Sequence, residues 1–144
     1  MNVVPMRLKS GDCVIASIAT AMQRSYEDVA KTLGVALDGA GIPVAESWPW
    51  PLDQDPVVTL TDICNRLHEL GAFLVADLPP GFIEPIVIGG RLPAMLIVNS
   101  DYPADEGRSH ALAYRDGRVI DCRTATEDDR RPLAAMLFFT SVNG

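Results

Sequence analysis

No stretch of the chain offers the roughly 18 consecutive apolar residues that a membrane-spanning helix needs, so no membrane association is expected. Basic residues are few and scattered. Lys and Arg number 12 against 19 Asp and Glu, the formal charge is −7, and no basic run occurs, which argues against a protein built to neutralise a nucleic-acid backbone. Cysteine is sparse too. The 3 cysteines, an odd number without short regular spacing, make neither a disulfide framework nor a zinc ribbon. The opening MNVVPMRLKS lacks the long apolar stretch of a secretory signal, and with the unpaired cysteines it predicts a reducing, cytoplasmic setting. Internal repeats and low-complexity tracts are missing.

What is present suits a single domain spanning residues 1–144. A chain of 144 residues with 48% hydrophobic and 22% charged content can bury one real core and is too short for two comfortable ones. The most informative stretch is SGDCVIASIATAM, Ser10 to Met22. Turn-formers Ser10, Gly11 and Asp12 precede Cys13, and the residues after it are apolar nearly all round, the pattern of a helix running through the middle of a domain. Its few polar residues, Ser17, Thr20 and Arg24, recur at spacings of three and four in line with Cys13. A thiol at a helix N-terminus meets the positive end of the dipole and unpaired N–H groups, a setting that makes a nucleophile. The alternative is a cysteine that only fills space.

The first half continues in helical pattern. SYEDVAKTLG predicts a second helix, with Ser25 as N-cap, Asp28 completing a capping-box-like pair, Tyr26, Val29, Ala30 and Leu33 as the apolar stripe, and Gly34 as the stop. From Val35 to Val58 periodicity fails among glycines and prolines, which predicts a long loop. Trp48 and Trp50 within it read as anchors pinning the loop to the body, with a cleft lining as the alternative. A third helix is expected from Leu60 to Leu70, with Cys64 on its buried stripe; Cys64 and His68 stand four apart without a further ligand pair, so they read as a core thiol and a rim histidine.

The second half is strand-like. Strands are expected at Ala72–Leu78, Ala94–Val98, His110–Arg115, Arg118–Cys122 and Leu133–Val142. Phe82–Ile88 contains Pro85 and stays open between strand and loop, while Asn99–Ser109 and Arg123–Arg131 are charged or Gly/Pro-containing loops. Asp116-Gly117 is a strong signal for a two-residue hairpin turn. Helices first and antiparallel strands later indicate an α+β fold. The hairpin then pairs Arg115 with Arg118 and Leu112 with Asp121. Side chains alternate along a strand, so His110 shares a face with Leu112 and lies diagonally beside Asp121, with Cys122 on the opposite face. A carboxylate beside an imidazole orients it and stabilises its charged form. Brought to Cys13, the pair makes a Cys–His–Asp triad; the alternatives are an ordinary strand-start histidine and an aspartate paired with Arg123.

These residues resemble a known family. The order of a cysteine at a helix start, a histidine at the start of one strand and an aspartate at the end of the next is similar to the papain-like cysteine peptidase superfamily. The likeness is greatest to its small bacterial and phage branch, akin to the bacteriocin-processing double-glycine peptidase domains. DCVIASIATAMQRSYEDVAKTLG resembles the opening two helices of such proteins, and SHALAYRDGRVIDCR resembles their histidine hairpin; together they cover about a quarter of the chain. The resemblance implies a papain-like fold, with N-terminal helices packed on a C-terminal antiparallel sheet. It implies Cys13 as nucleophile, His110 as general base and Asp121 as its orienter, acting on a peptide or protein substrate without metal or cofactor. Relatives carry a glutamine about six residues before the cysteine, whose amide joins the oxyanion hole. Arg7 stands there instead, so Arg7 and the backbone N–H of Cys13 are the candidate oxyanion donors, and Val14 stands where many relatives have glycine. A catalytically inactive binding module and a cysteine deamidase or acyltransferase are the other functions this scaffold would suit. Oligomeric state is not legible.

Overall fold

The Asp116-Gly117 turn organises the C-terminal half. Asp116 (φ 53°) and Gly117 (φ 78°) both take the left-handed conformation that a two-residue type I′ turn requires, and glycine enters it without steric cost. In this computed structural model, which describes residues 2–8, 11–49, 56–68, 72–76, 93–99, 109–127 and 133–139, the turn joins strands Ser109–Arg115 and Arg118–Asp121. Their register pairs Arg115 with Arg118, Tyr114 with Val119 and Ala113 with Ile120, as alternation predicts.

In chain order the helices are α1 (Cys13–Met22), α2 (Tyr26–Leu33) and α3 (Pro56–Arg66), with a short 3-10 turn at Ala45–Ser47. The strands are β1 (Ala72–Ala76), β2 (Ala94–Asn99), β3 (Ser109–Arg115), β4 (Arg118–Asp121), β5 (Thr126–Glu127) and β6 (Leu133–Phe139). They form one sheet in the order β1-β6-β2-β3-β4-β5, each neighbouring pair antiparallel. The fold is α+β: α1 lies on β3 and β2, α3 on β1 and β6, and α2 bridges α1 and α3.

Helix α1 is the hub because its sequence leaves it no solvent face. Every residue from Ile15 to Met22 is buried. Burial of one such side chain as large as Ile18 contributes about 1.5–3 kcal/mol, and Ala16, Ala19 and Ala21 let the helix approach the sheet closely. The polar residues on this helix are satisfied by tertiary partners. Ser17 donates to the carbonyl of Ala111 on β3 (3.1 Å), and Thr20 Oγ1 accepts from the Val4 N–H (2.9 Å) and contacts Cys122 Sγ (3.3 Å). The Ser17 and Thr20 hydroxyls thus stitch α1 to the sheet and to the N-terminal segment. Gln23, in the left-handed conformation, ends the helix.

Helix α2 follows its expected signals: Ser25 Oγ accepts from the Asp28 N–H (3.1 Å), and Gly34 closes the helix at φ 83°. Helix α3 starts four residues earlier than the periodicity suggests. Pro56 occupies its first position, where a missing N–H costs nothing because that group has no intrahelical partner. The Val35–Val58 loop therefore ends before Pro56, and its described residues 35–49 carry local structure. Asp38 Oδ1 accepts from the N–H groups of Ala40 and Ile42, Leu37 bridges Pro43, and Trp48 packs against the core, in keeping with an anchoring role. Strand β5 falls within the charged segment expected to be loop; Arg118 reaches Glu127 across the pair at 2.6 Å. Trp50, Phe82–Ile88 and the interior of the Asn99–Ser109 loop lie outside the described residues. Among those described, no helix is long and apolar enough to cross a membrane, and no cluster of three or more His, Cys, Asp or Glu side chains is arranged to hold a metal ion.

Candidate active site

Strand alternation sets the first half of the site. Ala111, Ala113, Ile120 and Cys122 belong to the core beneath α1, so His110 and Asp121 fall on the other parity. The two side chains meet there: His110 Nε2 lies 2.8 Å from Asp121 Oδ1, and the side chains are only 1% and 5% exposed. Asp121 is fixed in turn. Its Oδ1 accepts from the Arg123 N–H (2.9 Å), and its carbonyl accepts from the Ala125 N–H (2.8 Å). The backbone just past β4 thereby holds the carboxylate that holds the ring.

The hydrogen bond to Asp121 assigns the proton on Nε2 and leaves Nδ1 for the other side of the imidazole. Nδ1 is buried and makes no hydrogen bond of ordinary geometry among the described residues, while the Cys13 sulfur lies near enough to act on the ring. Burial by itself lowers the His110 pKa. The hydrogen bond to Asp121, the nearby Cys13 thiol and the charges of both outweigh that loss and raise it to about 9. The imidazolium is therefore the favoured form at neutral pH.

Cys13 is the first residue of α1 and is half-buried. The turn before it reverses through Gly11 (φ 101°), where only glycine is free of steric cost. Asp12, the residue before the helix, makes no side-chain capping bond, so its carboxylate does not occupy the leading N–H groups. The other two cysteines differ. Cys122 is buried against Thr20, and burial pushes its thiol up to about 11. Cys64 is half-buried on α3, and desolvation raises its pKa as well.

Arg7 takes a place unlike the one expected for an oxyanion donor. Its guanidinium donates to the Gly41 carbonyl (2.8 Å), pairs with Glu27 and stacks over the Tyr26 ring, 4.1 Å from the centroid. The structure thus commits this group to bracing the N-terminal segment against α2 and the 38–42 turn. The cause is local: Tyr26 presents an aromatic face at the start of α2, and Glu27 follows it with a carboxylate. Of the two donors considered, only the Cys13 N–H lies beside the sulfur.

Asp12 and Tyr26 join the surroundings of the site, which their residue types alone did not announce. Asp12 reads in sequence as a turn-former and Tyr26 as part of an apolar stripe. Folded, both are buried, and the Tyr26 hydroxyl donates to Asp12 Oδ2 at 2.7 Å. Burial, then the hydrogen bond and charge of Asp12, push the Tyr26 pKa far upward, so the hydroxyl stays a donor. An aspartate immediately before a helix and a tyrosine opening the next one were the signal available.

Comparison with protein-family models finds no match to this chain, and comparison with curated proteins finds none either.

Proposed function

We propose that this chain is a thiol hydrolase of papain-like architecture, acting on a peptide or related amide bond. The observation that carries the reading is the buried His110 imidazole, held at 2.8 Å by Asp121 and flanked by the thiol that opens α1. Such a line of groups is suited to one chemistry. The Cys13 thiolate attacks the carbonyl carbon, and the carbonyl oxygen takes up negative charge beside the uncapped N–H groups of α1. The His110 imidazolium gives its proton to the departing amine as the C–N bond breaks, leaving a thioester. Neutral His110 then takes a proton from water, the hydroxide oxygen adds to the thioester, and the carboxylic acid leaves as thiolate and imidazolium re-form. Asp121 holds the ring through both halves.

The test is the rate of Cys13 alkylation by iodoacetamide at neutral pH, followed by mass mapping of the modified peptide. Wild type is expected to react faster than an ordinary exposed thiol and His110→Ala markedly slower; equal, sluggish rates in both sink the enzymatic reading. Arg7 supports a second reading, a papain-like binding module without turnover, because its guanidinium is engaged with Gly41 and Glu27 at the position where relatives carry an oxyanion-hole amide. Trapping of an acyl-enzyme from a peptide library separates the two, and product analysis distinguishes backbone cleavage from side-chain deamidation or acyl transfer.

A further inference from the structure

Asp12 stands directly before Cys13 and does not do what an aspartate there ordinarily does. Aspartate is a favoured N-cap because its side-chain oxygen accepts from N–H groups of the first helical turn. At the start of α1 no such bond forms. Oδ2 turns back instead to the Arg7 N–H (2.8 Å), the Leu8 N–H (3.3 Å) and the Tyr26 hydroxyl (2.7 Å). The residue is fully buried, and Oδ1 has no hydrogen-bond partner among the described residues. Its backbone departs from the usual cap as well: Asp12 sits at φ −105°, ψ 17°, whereas Ser25, which does cap α2, is extended at φ −70°, ψ 152°.

Two consequences follow from the geometry. A carboxylate docked on the first turn of α1 would occupy its N–H groups and put a negative charge on the very donors a reacting carbonyl oxygen needs. Turned away, it leaves them open. The same three hydrogen bonds also tie residues 7 and 8, the start of α1 and the start of α2 into one unit, and the Met6 N–H, donating to the Cys122 carbonyl (3.2 Å), joins the N-terminal segment to the chain just past Asp121.

We propose that Asp12, clamped by Tyr26, is a positioning residue for Cys13: it sets the sulfur against His110 and keeps the leading N–H groups of α1 uncapped. This rests on the reading of Cys13 and His110 as nucleophile and base. Among the described residues, the other charged groups facing the clamp are Arg7, from the N-terminal segment, and Glu27, from α2. Arg7 stacks on the Tyr26 ring and helps fix its hydroxyl toward Asp12.

The experiment measures, in the full chain at neutral pH, the factor by which His110→Ala slows iodoacetamide modification of Cys13, once with Tyr26 and once with Tyr26→Phe. Circular dichroism and a melting curve check that each protein is folded. Phenylalanine keeps the ring and removes the side-chain donor among the three that hold Oδ2. The expected result is a large His110 factor with Tyr26 in place and one smaller by about tenfold in the Tyr26→Phe background, because a sulfur displaced by a fraction of an ångström loses its partner. An undiminished factor in a folded Tyr26→Phe protein overturns the positioning role while leaving the nucleophile–base reading standing. A factor near one already in wild type overturns that reading, and this proposal with it. Should Tyr26→Phe fail to fold, Asp12→Asn and Asp12→Ala decide. The amide retains an oxygen for the two N–H groups and the hydroxyl, so Asp12→Asn should keep most of the His110 factor and Asp12→Ala should lose it; equal factors in the two overturn the proposal.

Discussion

Removing the charge of Asp121 while keeping its shape, by Asp121→Asn, should change how stability depends on pH more than it changes the fold. His110 moves from 6.5 in the unfolded chain to about 9 in the folded one, against the penalty of burial, through its hydrogen bond to Asp121 and the influence of the nearby Cys13 thiol and both charges. A raised histidine pKa means that the native state binds the proton more tightly. The stability it contributes is complete below about pH 6.5 and disappears as pH rises through about 9. At about 1.4 kcal/mol per unit, the shift corresponds to about 3 kcal/mol, a large part of the net stability of a small domain. Because the ring is only 1% exposed, solvent screens little of this. Urea unfolding followed by circular dichroism from pH 6 to pH 10 should therefore show wild type losing about 3 kcal/mol across that window. An amide cannot stabilise imidazolium as a carboxylate does, so Asp121→Asn should be less stable near pH 6.5 and much flatter toward pH 10. A wild-type curve without that loss, or an Asp121→Asn curve that keeps the wild-type slope, would refute the argument that Asp121 holds a charged ring. The proton resonance of the His110 ring offers an independent reading, with a midpoint near 9 expected in wild type.

Three further outcomes are expected. Native alkylation at neutral pH, mapped by mass spectrometry, should label Cys13 first and leave Cys122 unmodified until the chain unfolds, since burial and a pKa near 11 withhold both access and thiolate. Ile18→Ala should cost about 2–5 kcal/mol in urea unfolding with an unchanged denaturant slope, because the side chain is fully buried in the hydrophobic core. Ser25→Ala should cost about 1 kcal/mol, seen as a lowered melting temperature, by leaving the Asp28 N–H without its acceptor.

Much of the architecture is legible because it depends on short-range rules. A two-residue turn at Asp116-Gly117 dictates register, register dictates parity, and parity puts His110 and Asp121 on one face and Cys122 on the other; none of these steps needs a distant contact. The α2 cap and stop are likewise local chemistry. The start of helix α3 is harder to read because proline counts as a breaker by composition, yet at the first helical position it removes only an N–H that has no partner. Strand β5 is silent in the sequence because a two-residue exposed edge carries no alternation to detect.

The sequence by itself determined most of the elements, the hairpin register and the pairing of imidazole with carboxylate, because each follows from periodicity and turn stereochemistry within a few residues. Tertiary structure alone decided what happens to polar groups whose partners lie far along the chain. It turned the Asp12 carboxylate from the helix it precedes to a tyrosine on the next one. It took the Arg7 guanidinium to Glu27 and Gly41, and it set a thiol at the start of the first helix within electrostatic reach of a ring on the third strand. The physical reason is that a buried donor or acceptor must be satisfied wherever the packed chain offers a partner, and packing, which is non-directional and global, chooses which partners are near.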